Sequence, residues 1–568
     1  MGHLLAISIG PVQEFIRAAR RTRDLWFGSY LLSEISRAVA RAIEENGGRL
    51  IFPPDARAEN VANVIIAELP QGDPEEIVGK AKTAGRQRWS EFATEAFRRA
   101  QEVIRHDVWD SQVNDVLEFY SAWVTQTGNY REDRVRLDRL LAGRKNCRDF
   151  LPARGWPGVP KSSLDGLRET VLKDPAAERW PNWVPHVLRL RTAEQLDVVG
   201  VVKRIAGERQ SYPSVSRVAA DPWIRGHKGK LREVISACEE LAQRRLLVKL
   251  DTEAYAQFAD FPYEGTAVYR DRYHEFVEET GSAEDVLARL RKAMERFAEP
   301  QPYVAVLVAD GDRIGAVIRE LDTPDKNRAF SKTLASFAGQ AKEIVRKHQG
   351  VLVYAGGDDV LAFLPLDTCL ACARQLHDTF ATTLADYRST EGPPTLSVGI
   401  GIGHMLENLE DLLDYARQAE RDAKQPDRDG LAVHLYKRGG SRVAVRSRWE
   451  HCPDKAVLRY AELMNLQGIP SKLPYDLHEL VDLYRAFDDR HVSRALQLDV
   501  MRIVRAKQPR AGTRYLPEIE TVVQNIERPC DPERKGFPRD LEQFTEALLI
   551  ARHMAVALRQ ARRQPEGA

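Results

Sequence analysis

Four aspartates stand in two pairs that can do chemistry together. Asp310 and Asp312 close the run Val308-Ala309-Asp310-Gly311-Asp312, at the C-terminal end of an apolar stretch. Asp358 and Asp359 end the tetrapeptide Gly356-Gly357-Asp358-Asp359, with apolar residues on both sides. Carboxylates gathered within a few ångströms repel one another, and hard divalent ions with oxygen ligands relieve that repulsion. Two ions about 4 Å apart can stabilise both the attacking and the leaving oxygen of an in-line phosphoryl displacement. Gly356 and Gly357 let the backbone turn sharply and come close to a bulky triphosphate. Gly and Asp are also ordinary turn residues, so the tetrapeptide alone would say little. What singles it out is the second pair at the end of the preceding strand, and flanks that place the turn on a core sheet.

The elements around these residues can be read from local pattern. Residues 303–309 are a buried strand, and 313–348 are helical with a break near Pro324. Strands at 351–355 and 360–365 are joined by the tight turn. A helix at 368–387, a strand at 396–403, a helix at 409–424 and a last strand at 431–436 complete a βαββαβ order. In such a unit the end of the first strand and the hairpin turn can face each other. Lys424, in the last turn of its helix, can reach a triphosphate as a point charge, and a lysine there also suits the helix dipole. Ser397 opens a core strand and is a candidate contact to base or ribose; His404, at the end of that strand, has no evident partner. Cys369 and Cys372 form a C-x-x-C inside a helical pattern, which reads as a buried pair and not as a zinc site.

A similar order precedes it. Residues 4–10 read as a strand, 12 to about 45 as helix interrupted near Gly28, 49–52 and 61–69 as strands, and 74 to about 105 as helix. That is most of a ferredoxin-like unit, so the two halves look like a pseudo-repeat. Gly10 and Gln13 are then the N-terminal counterparts of the strand end at Asp310. Helix-start amides there can hold phosphates. Joining two nucleotides needs donor and acceptor with reacting atoms about 3–3.5 Å apart, so the nucleotides are expected between the N-terminal unit and the unit that carries the aspartates. The stretch 13–26 is basic and aromatic, suited to phosphates or a base, or simply a solvated helix face. Residues 146–222, rich in Pro, Trp and Gly, read as irregular; 228 to about 298 are helical, broken near 260–262, and 441–563 are mostly helical. The expected fold class is α+β: two ferredoxin-like domains, of the nucleotidyl cyclase or palm type that the resemblance described below implies, with helical middle and C-terminal domains. The boundaries read as 1–185, 186–298, 299–440 and 441–568.

The bulk properties agree with a multidomain protein. A chain of 568 residues is too long for one core. The hydrophobic fraction of 43% and charged fraction of 29% exclude disorder and fibres. With 84 Lys+Arg against 83 Asp+Glu, any nucleic-acid surface must be a local patch. Six scattered cysteines form no disulfide framework, which fits a reducing cytoplasm. No signal peptide, myristoylation pattern or membrane-spanning apolar run is expected.

The motifs resemble the large palm-polymerase subunit of type III CRISPR effector complexes, specifically the Cmr (type III-B) branch. The resemblance is carried by Ile9-Gly10-Pro11-Val12-Gln13-Glu14-Phe15-Ile16, Thr22-Arg23-Asp24-Leu25-Trp26 and Gly28-Ser29-Tyr30-Leu31-Leu32-Ser33. It continues in the segment Trp156 to Gly166, in Glu194-Gln195-Leu196-Asp197, and in Pro213-Ser214-Val215-Ser216 with Ala219-Ala220-Asp221-Pro222-Trp223. It ends with the two aspartate motifs, and so runs from residue 7 to about 440. It implies a complex that carries CRISPR RNA and, on pairing with target RNA, turns ATP into cyclic oligoadenylate in antiviral defence. It implies metal ligation by Asp310 and Asp358, with Asp359 completing the signature turn. Together with the residue reading, the expected site is two Mg2+ or Mn2+ on Asp310, Gly311, Asp358 and Asp359, and nucleotide contacts among Asp312, Gly356, Gly357, Ser397, Lys424, Gly10 and Gln13. Asp358, Asp359 and Asp310 would be the catalytic set of this nucleotidyltransferase. Partners would be the other Cmr subunits, CRISPR RNA, target RNA and ATP, with no membrane. Many relatives begin with an HD nuclease domain; this sequence starts at the first cyclase-like domain, so nuclease activity is not expected of it. Only Cys147 stands where relatives often carry a four-cysteine zinc site, which argues against zinc. Two other readings remain: a catalytically silent RNA-binding scaffold, or AMP transfer to another acceptor such as S-adenosylmethionine. A Gly-Gly-Asp-Asp palm also resembles diguanylate cyclases, which the long N-terminal motifs oppose.

Overall fold

The computed structural model describes residues 2–562 except 59, 148–154, 175–179, 182–183, 185–187, 189, 191–192, 208–210, 279–282, 439, 441, 467–468, 485–491 and 508–540. The side chains of 13–14, 277–278 and 492–494 also lie outside this set.

The N-terminal sheet is built from β1 (His3–Gly10), β2 (Arg49–Phe52), β3 (Val64–Leu69) and β4 (Glu118–Thr125). Its order is β2-β3-β1-β4, every neighbouring pair antiparallel. Alternation along β1 explains its two faces. Leu5, Ile7 and Ile9 join the core under the helices Thr22–Glu45 and Pro74–Ala100. Leu4 and Ala6 join a smaller core against the helix Tyr130–Asn146. The expected ferredoxin-like unit is therefore complete, its fourth strand lying beyond the segment read as its last helix.

The second sheet contains β5 (Tyr303–Asp312), β6 (Val351–Ala355), β7 (Val360–Leu364), β8 (Thr395–His404), β9 (Gly430–Tyr436) and β10 (Arg442–Arg448). The order is β10-β9-β8-β5-β7-β6. Four adjacent strands from one edge, β6-β7-β5-β8, repeat the order of the N-terminal sheet. β9 is parallel to β8, and the helix Leu409–Lys424 makes the crossover that parallel neighbours require. β10 pairs with β9 in a stretch expected to be helical, so the sheet runs to residue 448, past the expected boundary at 440.

Ala305, Leu307 and Ala309 face the helices Pro324–Lys347 and Cys369–Thr383. Val304 and Val306 face the other way, into one core with Leu409, Leu412, Phe15, Leu31 and Ile35. The palm and the N-terminal domain thus share buried apolar surface. Around them lie middle helices, among them Val198–Ala206, a short element inside the stretch expected to be irregular with short elements, and Val215–Gly226, which runs out of that stretch, and C-terminal helices that include Pro453–Asn465 and Leu541–Ala561. Cys369 and Cys372 are buried free thiols on their helix, as their spacing implied, and burial pushes Cys369 up to about 12. Among the described residues no helix is long and apolar enough to cross a membrane.

Candidate active site

Strand register brings the acidic pairs together. Ala309 of β5 stands opposite Val360 of β7, so the residues just beyond, Asp310 and Asp359, arrive side by side. The turn before Asp359 is closed by the Gly356 amide donating to the Asp359 carbonyl at 2.9 Å. Gly357 has a φ of 92°, a region open to glycine and strained for other residues. Gly311 is required for a different reason: a Cβ there would lie 2.7 Å from the Asp358 Cβ. The strand end and the turn touch, as the βαββ order implied.

The electrostatics follow from that closeness. Asp358 is pushed up to about 6 by burial first and by the Asp310 charge second. Asp359 is raised further; burial is again the largest cause, followed by a hydrogen bond to the Asp310 carboxyl and the charges of Asp310 and Asp358. The Tyr354 phenol, at the end of β6, is held well above its ordinary range by burial and by Asp359. Lys424 pairs with Asp310 Oδ2 and, at 2.7 Å, with Glu420 Oε1 one turn earlier on its helix. These carboxylates raise the lysine pKa although burial opposes them. Lys424 therefore neutralises the carboxylate that binds it. No triphosphate is needed to explain its position.

Asp312 and Ser397, expected among nucleotide contacts, are hydrogen-bonded to each other. Asp312 Oδ2 accepts from Ser397 Oγ at 2.7 Å, Thr395 Oγ1 at 2.9 Å and the Asp429 amide at 3.1 Å. Asp312 is 2% exposed and Ser397 fully buried. The physical reason is the chain after the Leu409–Lys424 helix. It wraps over the strand end and brings a backbone donor to Asp312. His404 also gains partners: its Nδ1 accepts from the Leu406 amide at 3.2 Å, and its ring packs on Tyr303. Gly10 ends β1 opposite Glu118, and Gln13 lies in the short helix Val12–Arg17. Arg17 of that helix bonds Glu410 at 2.8 Å and Asp414 at 3.3 Å on the Leu409–Lys424 helix. The N-terminal strand end is thus joined to the helix that carries Lys424.

Residue reading alone overlooked Glu420, Tyr354 and the glycines of β8. The spacing Glu420 to Lys424 was a signal, since such pairs meet on a helix surface. The alternation Gly399, Gly401, Gly403 was another. A Cβ at Gly399 would lie 2.0 Å from the Glu420 amide nitrogen, and one at Gly401 2.4 Å from that of Ala416. These positions let the helix lie directly on the strand and so set where Lys424 points.

The donor set is all oxygen, partly buried and in excess of the one ammonium beside it, which suits hard divalent cations. Among the described residues no three such side chains are arranged around one point as ready ligands. The carboxyls of Asp310 and Asp359 instead meet through a hydrogen bond.

Comparison with known proteins agrees with this fold. Residues 303–432 match the Cas10/Cmr2 second palm domain, and residues 4–94 match the N-terminal domain of the CRISPR-associated protein Cmr2. These matches support a Cas10/Cmr2 large subunit. The Cmr subunit Cmr2 of Pyrococcus furiosus is 24% identical, over 89% of this chain and 69% of that one. Two solved structures of the type III-B Cmr-beta complex share the fold. One, in the apo state, has a TM-score of 0.63 and 15% identity over 90% of this chain and 78% of that one. The other, bound to cognate target RNA, has a TM-score of 0.64 and 15% identity, covering 90% and 79%.

Proposed function

We propose that this chain is a Cas10/Cmr2-type subunit and the nucleotidyltransferase of a type III-B effector complex, making cyclic oligoadenylate from ATP when target RNA is bound. The observation that carries the reading is the meeting of Asp310, Asp358 and Asp359 at one strand end, with raised proton affinity on the last two. Asp310, Asp358, Asp359 and the Gly311 backbone would hold Mg2+ or Mn2+, which when bound supplies Lewis acidity to an attacking hydroxyl and a triphosphate. The chain's own part is to desolvate these carboxylates and fix them on a rigid sheet. Lys424 holds Asp310 in place through its ammonium. In the reaction a 3′-hydroxyl attacks the α-phosphate of another ATP, the new P–O bond forms as the P–O bond to pyrophosphate breaks, and the hydroxyl proton passes to solvent.

The partners would be the other Cmr subunits, CRISPR RNA and complementary RNA, since a relative of the same fold is a Cmr-beta complex bound to cognate target RNA. ATP would lie in the cleft between the two ferredoxin-like units, close to the Arg17 contact with Glu410. The test is the double substitution Asp358→Ala, Asp359→Ala in the assembled complex, with target RNA, ATP and Mg2+ or Mn2+. Loss of oligoadenylate by mass spectrometry, with assembly unchanged, is expected. Full synthesis by the double variant would overturn the assignment. Product made only with another acceptor, such as S-adenosylmethionine, would redirect it.

A further inference from the structure

At the other end of β5, away from the carboxylates, the C-terminal helices close over a cavity of about 680 Å³. Ligand cavities commonly fall between about 300 and 1,000 Å³. Tyr303, at its edge, precedes Asp310 by seven residues, roughly 23 Å of extended strand, so this is a separate place. Arg552 and Arg559 line it from one face of the helix Leu541–Ala561, and Lys507 lines it from the end of the helix Val492–Ala506. Among the described residues no carboxylate lines it. One acidic group, Asp476, pairs with Lys507 from outside. Arg559 donates to Asn465 Oδ1 at 3.2 Å, and Arg552 to the Tyr475 hydroxyl at 2.8 Å. Neither partner carries an opposite charge.

Two further observations point to a ligand. Gln301 is only 8% exposed and lines the cavity, yet its buried Nε2 donor has no hydrogen-bond partner among the described residues. A buried amide donor without a partner costs about 1–3 kcal/mol. The positive charge is also crowded. Lys437 and Arg552 stack on the same Tyr475 ring, 5.2 and 5.3 Å from its centre. Their charges, after burial, press His553 down to about 4. The neutral His553 ring packs edge-on against Tyr303 at 4.8 Å, offering a flat apolar wall with one donor and one acceptor.

We propose that this cavity is a second nucleotide site, in which Lys507, Arg552 and Arg559 take a phosphate and Gln301, Tyr303 and His553 take the base. The same chemistry is presented by a free mononucleotide and by the phosphorylated terminal nucleotide of an RNA strand. The experiment is equilibrium dialysis of the full chain against AMP, adenosine and 5′-phosphorylated triadenylate at low salt, in EDTA. AMP is expected to bind, and adenosine to bind about tenfold more weakly or worse. The double variant Arg552→Gln, Arg559→Gln should weaken AMP by at least about tenfold, while Asp358→Ala, Asp359→Ala leaves it unchanged. Triadenylate binding more tightly than AMP assigns the site to an RNA end; equal or weaker binding assigns it to a free nucleotide. Should the double variant misfold, Arg559→Gln alone, at an exposed position, should still weaken AMP about threefold. The proposal is overturned if AMP does not bind, if adenosine binds equally well, or if binding follows Asp358 and Asp359 and ignores the arginines.

Discussion

Asp358 sits in a turn, yet it holds its proton more tightly than a surface aspartate because burial and Asp310 both penalise its charge. The sign of the consequence is fixed by linkage. A carboxyl raised in the fold binds more protons folded than unfolded between about pH 4 and pH 6, so stability falls as pH rises through that window. Asp358→Asn removes the penalised charge. At pH 7.5 in EDTA it should raise the melting temperature, by no more than about 3 kcal/mol of stability, and the gain should vanish near pH 4. Mg2+ should raise the melting temperature of the unsubstituted chain and barely move the variant, since a cation that binds only the folded state stabilises it by mass action. Thermal melts across pH with and without Mg2+ check both. A gain that persists at pH 4 would mean that the charge is not its source.

Among the elements, β8 has the most exacting role. Its glycines face the Leu409–Lys424 helix at backbone contact, while Val398, Ile400 and Ile402 fill the core on the opposite face. Gly399→Ala should cost about 1–3 kcal/mol through overpacking, because the atoms a methyl would strike are backbone and cannot rotate away. It should also move the end of that helix, and with it the Lys424 ammonium, so product formation should fall more than folded yield. Ile400→Val, on the other face of the same strand, is the comparison. It should cost about 0.5–1.5 kcal/mol and leave turnover of the folded protein close to unchanged. Equal losses of turnover in the two variants would show that the helix position does not matter to the site.

For the whole molecule, the question is why two ferredoxin-like units are joined. They share a core that includes Phe15, Leu31, Val304 and Val306, so the cleft between them is held by apolar burial. The Arg17 pairs with Glu410 and Asp414 add position more than strength, since all three side chains are partly exposed. Arg17→Ala should therefore change stability by less than about 1 kcal/mol. If ATP spans the cleft, a photoreactive ATP analogue should label peptides from both 3–105 and 299–448. Labelling confined to the palm would show that one unit holds both nucleotides.

Local pattern was enough for β5 to β8 and their helices, because runs such as Tyr303 to Ala309 declare burial without knowing their neighbours. It was also enough to pair Asp310 with the Gly-Gly-Asp-Asp turn, since βαββ order sends a first strand beside the hairpin. β4 and β10 were not legible in the same way. β10 alternates Arg442, Ala444, Arg446 and Arg448 with Val443, Val445 and Ser447, and its short apolar face becomes a strand only once β9 and the Leu541–Ala561 helix are there to cover it. The three polar residues near the carboxylates show the same limit at finer scale. Asp312, Ser397 and Lys424 carry groups that suit a nucleotide as well as they suit their partners in the fold. Their partners were set by where the chain at 425–429 crosses the end of β5, and that crossing depends on glycines packing a helix against a strand that precedes it. Side-chain chemistry is written residue by residue, but which of two compatible partners a buried polar group takes is set by distances that only the assembled fold creates.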